Sequence, residues 1–239
     1  MSFAILRRDV PRLPLIGTVP ADLPVFQSTD GNRYYQTPAG NWYPSITTVL
    51  KAGDKPALEK WKAKLGPVES EAIAARSGRI GAKLHEMAEQ YLLGNPITLK
   101  GMMPDDAWRF KKLVKFLDSI ESVILTESTV YHPSKKVAGR LDVWAMWKGE
   151  SCLIDFKTSL RPKNEKYTDH YYQQGTFYSS SLGYLYPLMP PVTKIVIVNL
   201  PLEDDMQILE SDPFKWLPSL DTAIKTFYDR VPTPTDLPD

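Results

Sequence analysis

The stretch GRLDVWAMWKGESCLIDFK, residues 139–157, decides how this chain is read. Its runs 141–147 and 151–156 are aromatic, β-branched and aliphatic. Lys148-Gly149 between them has the chemistry of a two-residue turn, so the stretch predicts a β-hairpin. If Trp147 pairs with Glu150, Asp142 falls directly opposite Asp155. Lys157, two residues further on, then shares the face of Asp155. Like charges directly opposed destabilise a sheet, and apolar flanks raise that cost by desolvating them. A positive group belongs between the acids, and hard oxygen donors favour Mg²⁺ or Mn²⁺. An Asp-x-Lys strand alone is commonly just a buried ion pair. The opposed Asp142 is what shifts the reading to a metal site.

The chain has 239 residues, 43% hydrophobic and 24% charged, the profile of one sizeable globular core. No apolar run approaches the roughly 20 residues that span a bilayer, so no membrane partner is expected. Residues 1–8 place their charge after the apolar residues, the reverse of a secretory signal, and leave room for a basic organelle-targeting segment. Cys152 is the single cysteine, which excludes a disulfide framework, a zinc ribbon and an iron–sulfur cluster. A reducing, cytoplasmic setting fits. At a net charge of +1, any nucleic-acid contact must come from local patches.

Around the hairpin the period of the apolar residues changes. The proline-punctuated segment 1–24 reads as extended, and Ser45 is placed to cap a short helix. Helices are predicted over 56–65, 67–77, 79–93 and 104–120, with Gly94-Asn95-Pro96 as a stop signal. Strands follow over 123–130, 137–147 and 151–158, then a helix over 169–183, a strand over 195–200 and a helix over 213–230. The strand–helix–strand passage predicts a crossover into a mixed sheet. The fold class is therefore α/β, a small mixed central β-sheet flanked by helices. One domain is expected over 25–231, mainly helical over 25–121 with the sheet core over 122–231. The tail 232–239 reads as flexible.

Further residues surround the hairpin acids. His85 lies on a strongly helical segment, with Glu89 one turn on to orient its imidazole; a lone helical histidine is more often structural. Gln174 and Tyr178 are one turn apart on the later helix, where an amphipathic packing role is at least as common. Arg76, Arg79, Lys83, Arg140, Arg161, Lys163 and Lys166 fall near these segments, as phosphate contacts or as solvated faces. Tyr34, Tyr35, Trp42 and Tyr43 can stack on unpaired bases or pack in the core.

Taken together, Gly81-x-x-x-His85, Gly139-x-x-Asp142, Asp155-x-Lys157 and Gln174-x-x-x-Tyr178 resemble, in order and spacing, the RecB-type branch of the PD-(D/E)XK nucleases. No single motif is specific; four in order are. The box 44–50 and Trp61 are similar to compact phage-type and mitochondrial genome-maintenance exonucleases. The resemblance spans about residues 25–200.

It implies a restriction-endonuclease-like core with an N-terminal helical arch region. It implies metal ligation by His85, Asp142, Asp155 and the Phe156 carbonyl, with Asp142, Asp155 and Lys157 catalytic. Gln174, Tyr178, Arg76, Arg140, Thr158 and Ser159 would bind substrate or support the site, Glu89 would stand behind His85, and Glu127 matches an acidic position of some members. Leu141 stands where the family name has proline, and Asp155 is the shorter of the two permitted acids.

The function so implied is a Mg²⁺- or Mn²⁺-dependent DNA exonuclease hydrolysing phosphodiester bonds at single-stranded ends, in a bacterial or phage-infected cell. A replication or recombination protein would be its partner. The competing reading is a catalytically silent nucleic-acid-binding module of the same fold. It is the weaker one, because no site position has been lost.

Overall fold

The computed structural model describes residues 4–5, 10–17, 21–53 and 56–238. The side chains of Trp61 and Lys166 lie outside the described part. Short elements come first: β1 (Ala4–Ile5), β2 (Val25–Gln27), β3 (Arg33–Gln36), β4 (Trp42–Pro44) and α1 (Ile46–Lys51). Ser45 caps α1 as predicted, its hydroxyl accepting from the Thr48 N–H at 3.1 Å. Helices α2 (Pro56–Leu65) and α3 (Pro67–Leu93), strand β5 (Ile97–Thr98) and helix α4 (Pro104–Leu117) follow.

The core elements are β6 (Ser122–His132), β7 (Val137–Trp147), β8 (Glu150–Ser159), α5 (Asp169–Leu185), β9 (Lys194–Pro201), β10 (Gln207–Ser211) and α6 (Leu217–Arg230). They build a mixed five-stranded sheet in the order β10-β9-β8-β7-β6. Only β8 and β9 run parallel, joined by α5. This is the crossover the sequence predicts. Lys148 and Gly149 both take positive φ, 53° and 74°, as a type I′ hairpin turn requires.

Helices cover both faces. Val143, Ala145, Ile154, Phe156, Val196 and Val198 pack beneath residues of α3 and α4, including Leu84, Phe110 and Leu113. Leu141, Trp144 and Leu153 face Ile46, Phe177, Leu182 and Leu220, from α1, α5 and α6. Two-sided burial explains why β8 and β9 read as nearly continuous apolar runs.

Several details differ from the predicted elements. The segments 67–77 and 79–93 form one 27-residue helix, α3. Gly78 inside it has open space at its Cβ position, and one helical glycine costs only about 1 kcal/mol, too little to end the helix. Strands β2, β3 and β4 form a separate antiparallel sheet that was not predicted, because three or four residues are too few to show an alternation. Edge strand β10 escaped because its five residues, Gln-Ile-Leu-Glu-Ser, do not alternate apolar with polar. The last helix begins as a 3₁₀ turn over Pro213–Trp216 before α6. The chain end lies along the small sheet: Thr29 N–H donates to Asp236 and Trp42 Nε1–H to the Pro238 carbonyl, both at 2.8 Å.

Candidate metal centre

The hairpin pairs in the predicted register, from Trp147–Glu150 to Val143–Ile154. The ladder stops one position short of Asp142 and Asp155, so the backbone opens where the two acids would oppose each other. A side chain takes over there, since the Phe156 N–H donates to Asp142 Oδ2 at 2.8 Å. On the other side of β7, Glu127 falls opposite Asp142, between the Thr126–Val143 and Ser128–Leu141 pairs. Three acids therefore lie in one row across β6, β7 and β8. Glu127 sits at φ 41°, a left-handed backbone that costs a non-glycine residue energy and is characteristic of functional positions.

Helix α3 brings His85 to this row. Its Nε2–H donates to the Phe156 carbonyl at 2.8 Å. Its Nδ1 stands 3.4 Å from Asp142 Oδ1 and 3.7 Å from Glu127 Oε1. Burial opposes charge on the ring, but Asp142 and Glu127 outweigh it and push His85 up to about 11. Burial also opposes ionisation of Asp142, yet His85, Lys157 and the Phe156 N–H hold it below the usual carboxylate range. Asp155 goes the other way, pushed up to about 6 by burial and by Asp142, with Lys157 opposing. Its Oδ2 meets Lys157 Nζ at 2.5 Å. Desolvation opposes the ammonium, but Asp155 and Asp142 raise its pKa, so Lys157 stays charged.

Helix α5 closes the other side. The Tyr171 ring lies 5.3 Å from Lys157 Nζ. Gln174 Nε2–H donates to the Tyr178 hydroxyl at 3.1 Å, and both side chains are buried. Gly139 explains its place in the motif. A Cβ there would lie 2.8 Å from Tyr178 Cε1 and 3.1 Å from Ile46 Cγ2, so only glycine lets α5 seat its tyrosine on β7. Gly81, the other motif glycine, is not crowded in this way: its nearest neighbour would be Thr158 Oγ1 at 3.7 Å.

Not every predicted site residue joins this group. Among the described residues Glu89 makes no hydrogen bond or ion pair with His85; Glu127 and Asp142 stand at Nδ1 instead. Glu89 is half-buried, its pKa raised by burial and by Glu127. Arg140 pairs with Asp22 at 3.2 Å. Arg76, Thr158 and Ser159 line a groove beside the centre. Tyr35 is buried against Leu23 and Ala138, and Trp42 packs edge-on to Phe26, so both serve the small sheet. The sequence reading missed Tyr171, although it is three residues before Gln174 on the same helix and so shares its face.

The donor set fits a divalent cation. His85, Glu127 and Asp142 each offer a ligand atom, and these lie within 4.8 Å of one another. Asp155 Oδ1 is buried without a hydrogen-bond donor among the described residues, and Oδ2 meets the Lys157 ammonium. A buried carboxylate left this way is costly, and a cation beside it removes the penalty.

No protein-family model matches the chain. It is 28% identical over 131 residues to mitochondrial genome maintenance exonuclease 1 of Mus musculus, across 52% of this chain and 39% of that protein. The human protein of the same name is 29% identical over 133 residues, with 52% and 38% covered. The match thus spans well under half the length of these relatives. Two of the solved structures that are similar at low scores serve as examples. One is SSO0001, with 16% identity, 78% and 77% coverage and TM-score 0.37. The other is a Eubacterium rectale protein described as a candidate exonuclease, with 10% identity, 68% and 72% coverage and TM-score 0.42. The curated relatives are exonucleases by name, which makes a nuclease the enzyme class this chain resembles.

Proposed function

We propose that this chain is a Mg²⁺- or Mn²⁺-dependent DNA exonuclease of the RecB-type PD-(D/E)XK branch, acting on single-stranded ends. The observation that carries the reading is the convergence of Asp142, Asp155, Lys157 and His85 at the open end of the β7–β8 ladder, with Asp155 Oδ1 buried and lacking a donor among the described residues. The names of its relatives support the same class. The nuclease unit is taken as residues 25–231.

In this reading His85, Asp142, Asp155 and the Phe156 carbonyl hold the cation, and Glu127 adds a donor. A bound divalent ion supplies Lewis acidity towards a phosphoryl oxygen and acidifies a coordinated water. Lys157, held as an ammonium against Asp155, offsets charge on the phosphate and orients the attacking water. Asp142 keeps its negative charge. Tyr178 and Gln174, both buried, set the height of α5 over β7 and so place Tyr171 beside Lys157. A replication, recombination or repair setting, with a protein partner from that machinery, belongs to this proposal. No described helix is long and apolar enough to cross a membrane.

Degradation of end-labelled single- and double-stranded oligonucleotides with Mg²⁺ or Mn²⁺ tests the proposal directly. Shortening of the single strand from one end is expected. Intact strands in both cations would refute it.

A further inference from the structure

The groove between α3 and α4, next to the end of β8, holds a cation that the metal centre does not use. Arg109 on α4 is only 5% exposed. A guanidinium carries five N–H donors, yet here Nη1 reaches Asp106 at 3.4 Å and Nη2 the Ser159 carbonyl at 3.3 Å, both long. Its Nε is buried and has no partner among the described residues. A buried charge so poorly bonded is expensive unless an anion completes it.

The space beside it is a cavity of about 510 Å³, lined also by Arg76, Arg79 and Lys83 from α3 and by Thr158 and Ser159 from β8. Asp105 and Asp106 are the acids of the lining. Four cations against two carboxylates leave the groove at +2, with Lys83 also engaged by Glu86 at 2.9 Å. Helix α4 starts here without a side-chain cap, so its dipole adds to the positive potential. Thr158 and Ser159 directly follow Lys157. The groove therefore adjoins β8 one to two residues beyond Lys157, about 3–7 Å along the backbone at the rise of a strand.

We propose that this groove is a second phosphate subsite, holding a backbone phosphodiester next to the scissile one. Arg109 forms its floor, Arg76 and Arg79 its exposed wall, and the Thr158 hydroxyl its link to the catalytic strand, the Ser159 hydroxyl already donating to the Arg161 carbonyl and Asn199. The proposal rests on the nuclease reading. It assigns Arg109 a fork–phosphate contact, which a lysine cannot reproduce.

Binding of a fluorescent single-stranded oligonucleotide, measured by anisotropy in EDTA over a range of salt, tests it. The double variant Arg76→Ala/Arg79→Ala is expected to bind about 10-fold more weakly, and to lower the magnitude of the log–log salt slope by about 1.4, two contacts at about 0.7 each. Lys111→Ala/Lys115→Ala removes two exposed charges elsewhere on α4 and should keep the original slope. Arg109→Lys should weaken binding several-fold while retaining charge, and the surface double variant decides the matter should that core substitution unfold the protein. If the unaltered protein binds and cleaves the strand but Arg76→Ala/Arg79→Ala keeps its slope, or both double variants lose slope equally, the subsite is refuted alone. If the unaltered protein neither binds nor cleaves it, the nuclease reading falls too.

Discussion

In the proposed site, Asp155 is the residue on which the chemistry would turn. It is 3% exposed, its Oδ1 lacks a hydrogen-bond donor among the described residues, and the Lys157 ammonium at Oδ2, with His85 further off, offsets its charge. Substituting Asp155→Ala or Lys157→Ala should leave a folded protein whose kcat on single-stranded DNA falls at least about 100-fold; near-normal turnover in either variant would place the site elsewhere. Glu127 makes a second test at this scale. Its left-handed backbone holds a carboxylate opposite Asp142 and within reach of His85. Glu127→Gln should weaken Mn²⁺ binding about 10-fold by calorimetry. Unchanged affinity would reduce Glu127 to a neighbour of the imidazole.

Glycines separate the elements that tolerate substitution from those that do not. Gly139→Ala pushes a methyl into Tyr178 and Ile46, and should cost about 1–3 kcal/mol in urea unfolding as α5 and α1 are forced off β7. Gly81→Ala lies inside α3 with room for its methyl. It should be neutral or stabilise by up to about 1 kcal/mol. The two results together ask whether each motif glycine marks close packing or merely sequence likeness. The register of the β7–β8 hairpin was legible in the sequence, since the Lys148-Gly149 turn fixes the pairing of every residue beyond it. The separate sheet β2–β4 was not, because strands that short are stabilised by partners distant in sequence, such as Ala138 beside Ser45.

Across the whole molecule, acid stability carries a readable signature. Burial first, and then Lys135, hold His132 below its usual pKa, with Asp221 opposing. The unfolded chain therefore takes up this proton first. Stability from the neutral ring is complete above the ordinary histidine value of about 6.5 and is lost as pH falls through it. His85 acts in the opposite sense. In the cation-free protein its raised pKa gives stability that is full below about 6.5 and lost as pH rises from there towards about 11; a cation held by the neutral ring would remove this dependence. Comparing His132→Gln with the unaltered protein by urea midpoint from pH 7 to 5 should show a shallower loss in the variant; parallel curves would mean that His132 does not contribute.

Residues 139–157 determined a great deal by themselves. The periods of two and 3.6 predicted the mixed sheet and its helices, and the turn set Asp142 against Asp155. The tertiary structure decided the rest. It put Glu127 rather than Glu89 at His85, brought Tyr171 over Lys157, and left Arg109 buried and under-bonded beneath a groove. The physical reason is distance along the chain. Spacing within one strand or helix is set by backbone geometry and can be read locally. Which side chain of α3 meets which strand depends on how two whole faces pack, and no local period encodes that.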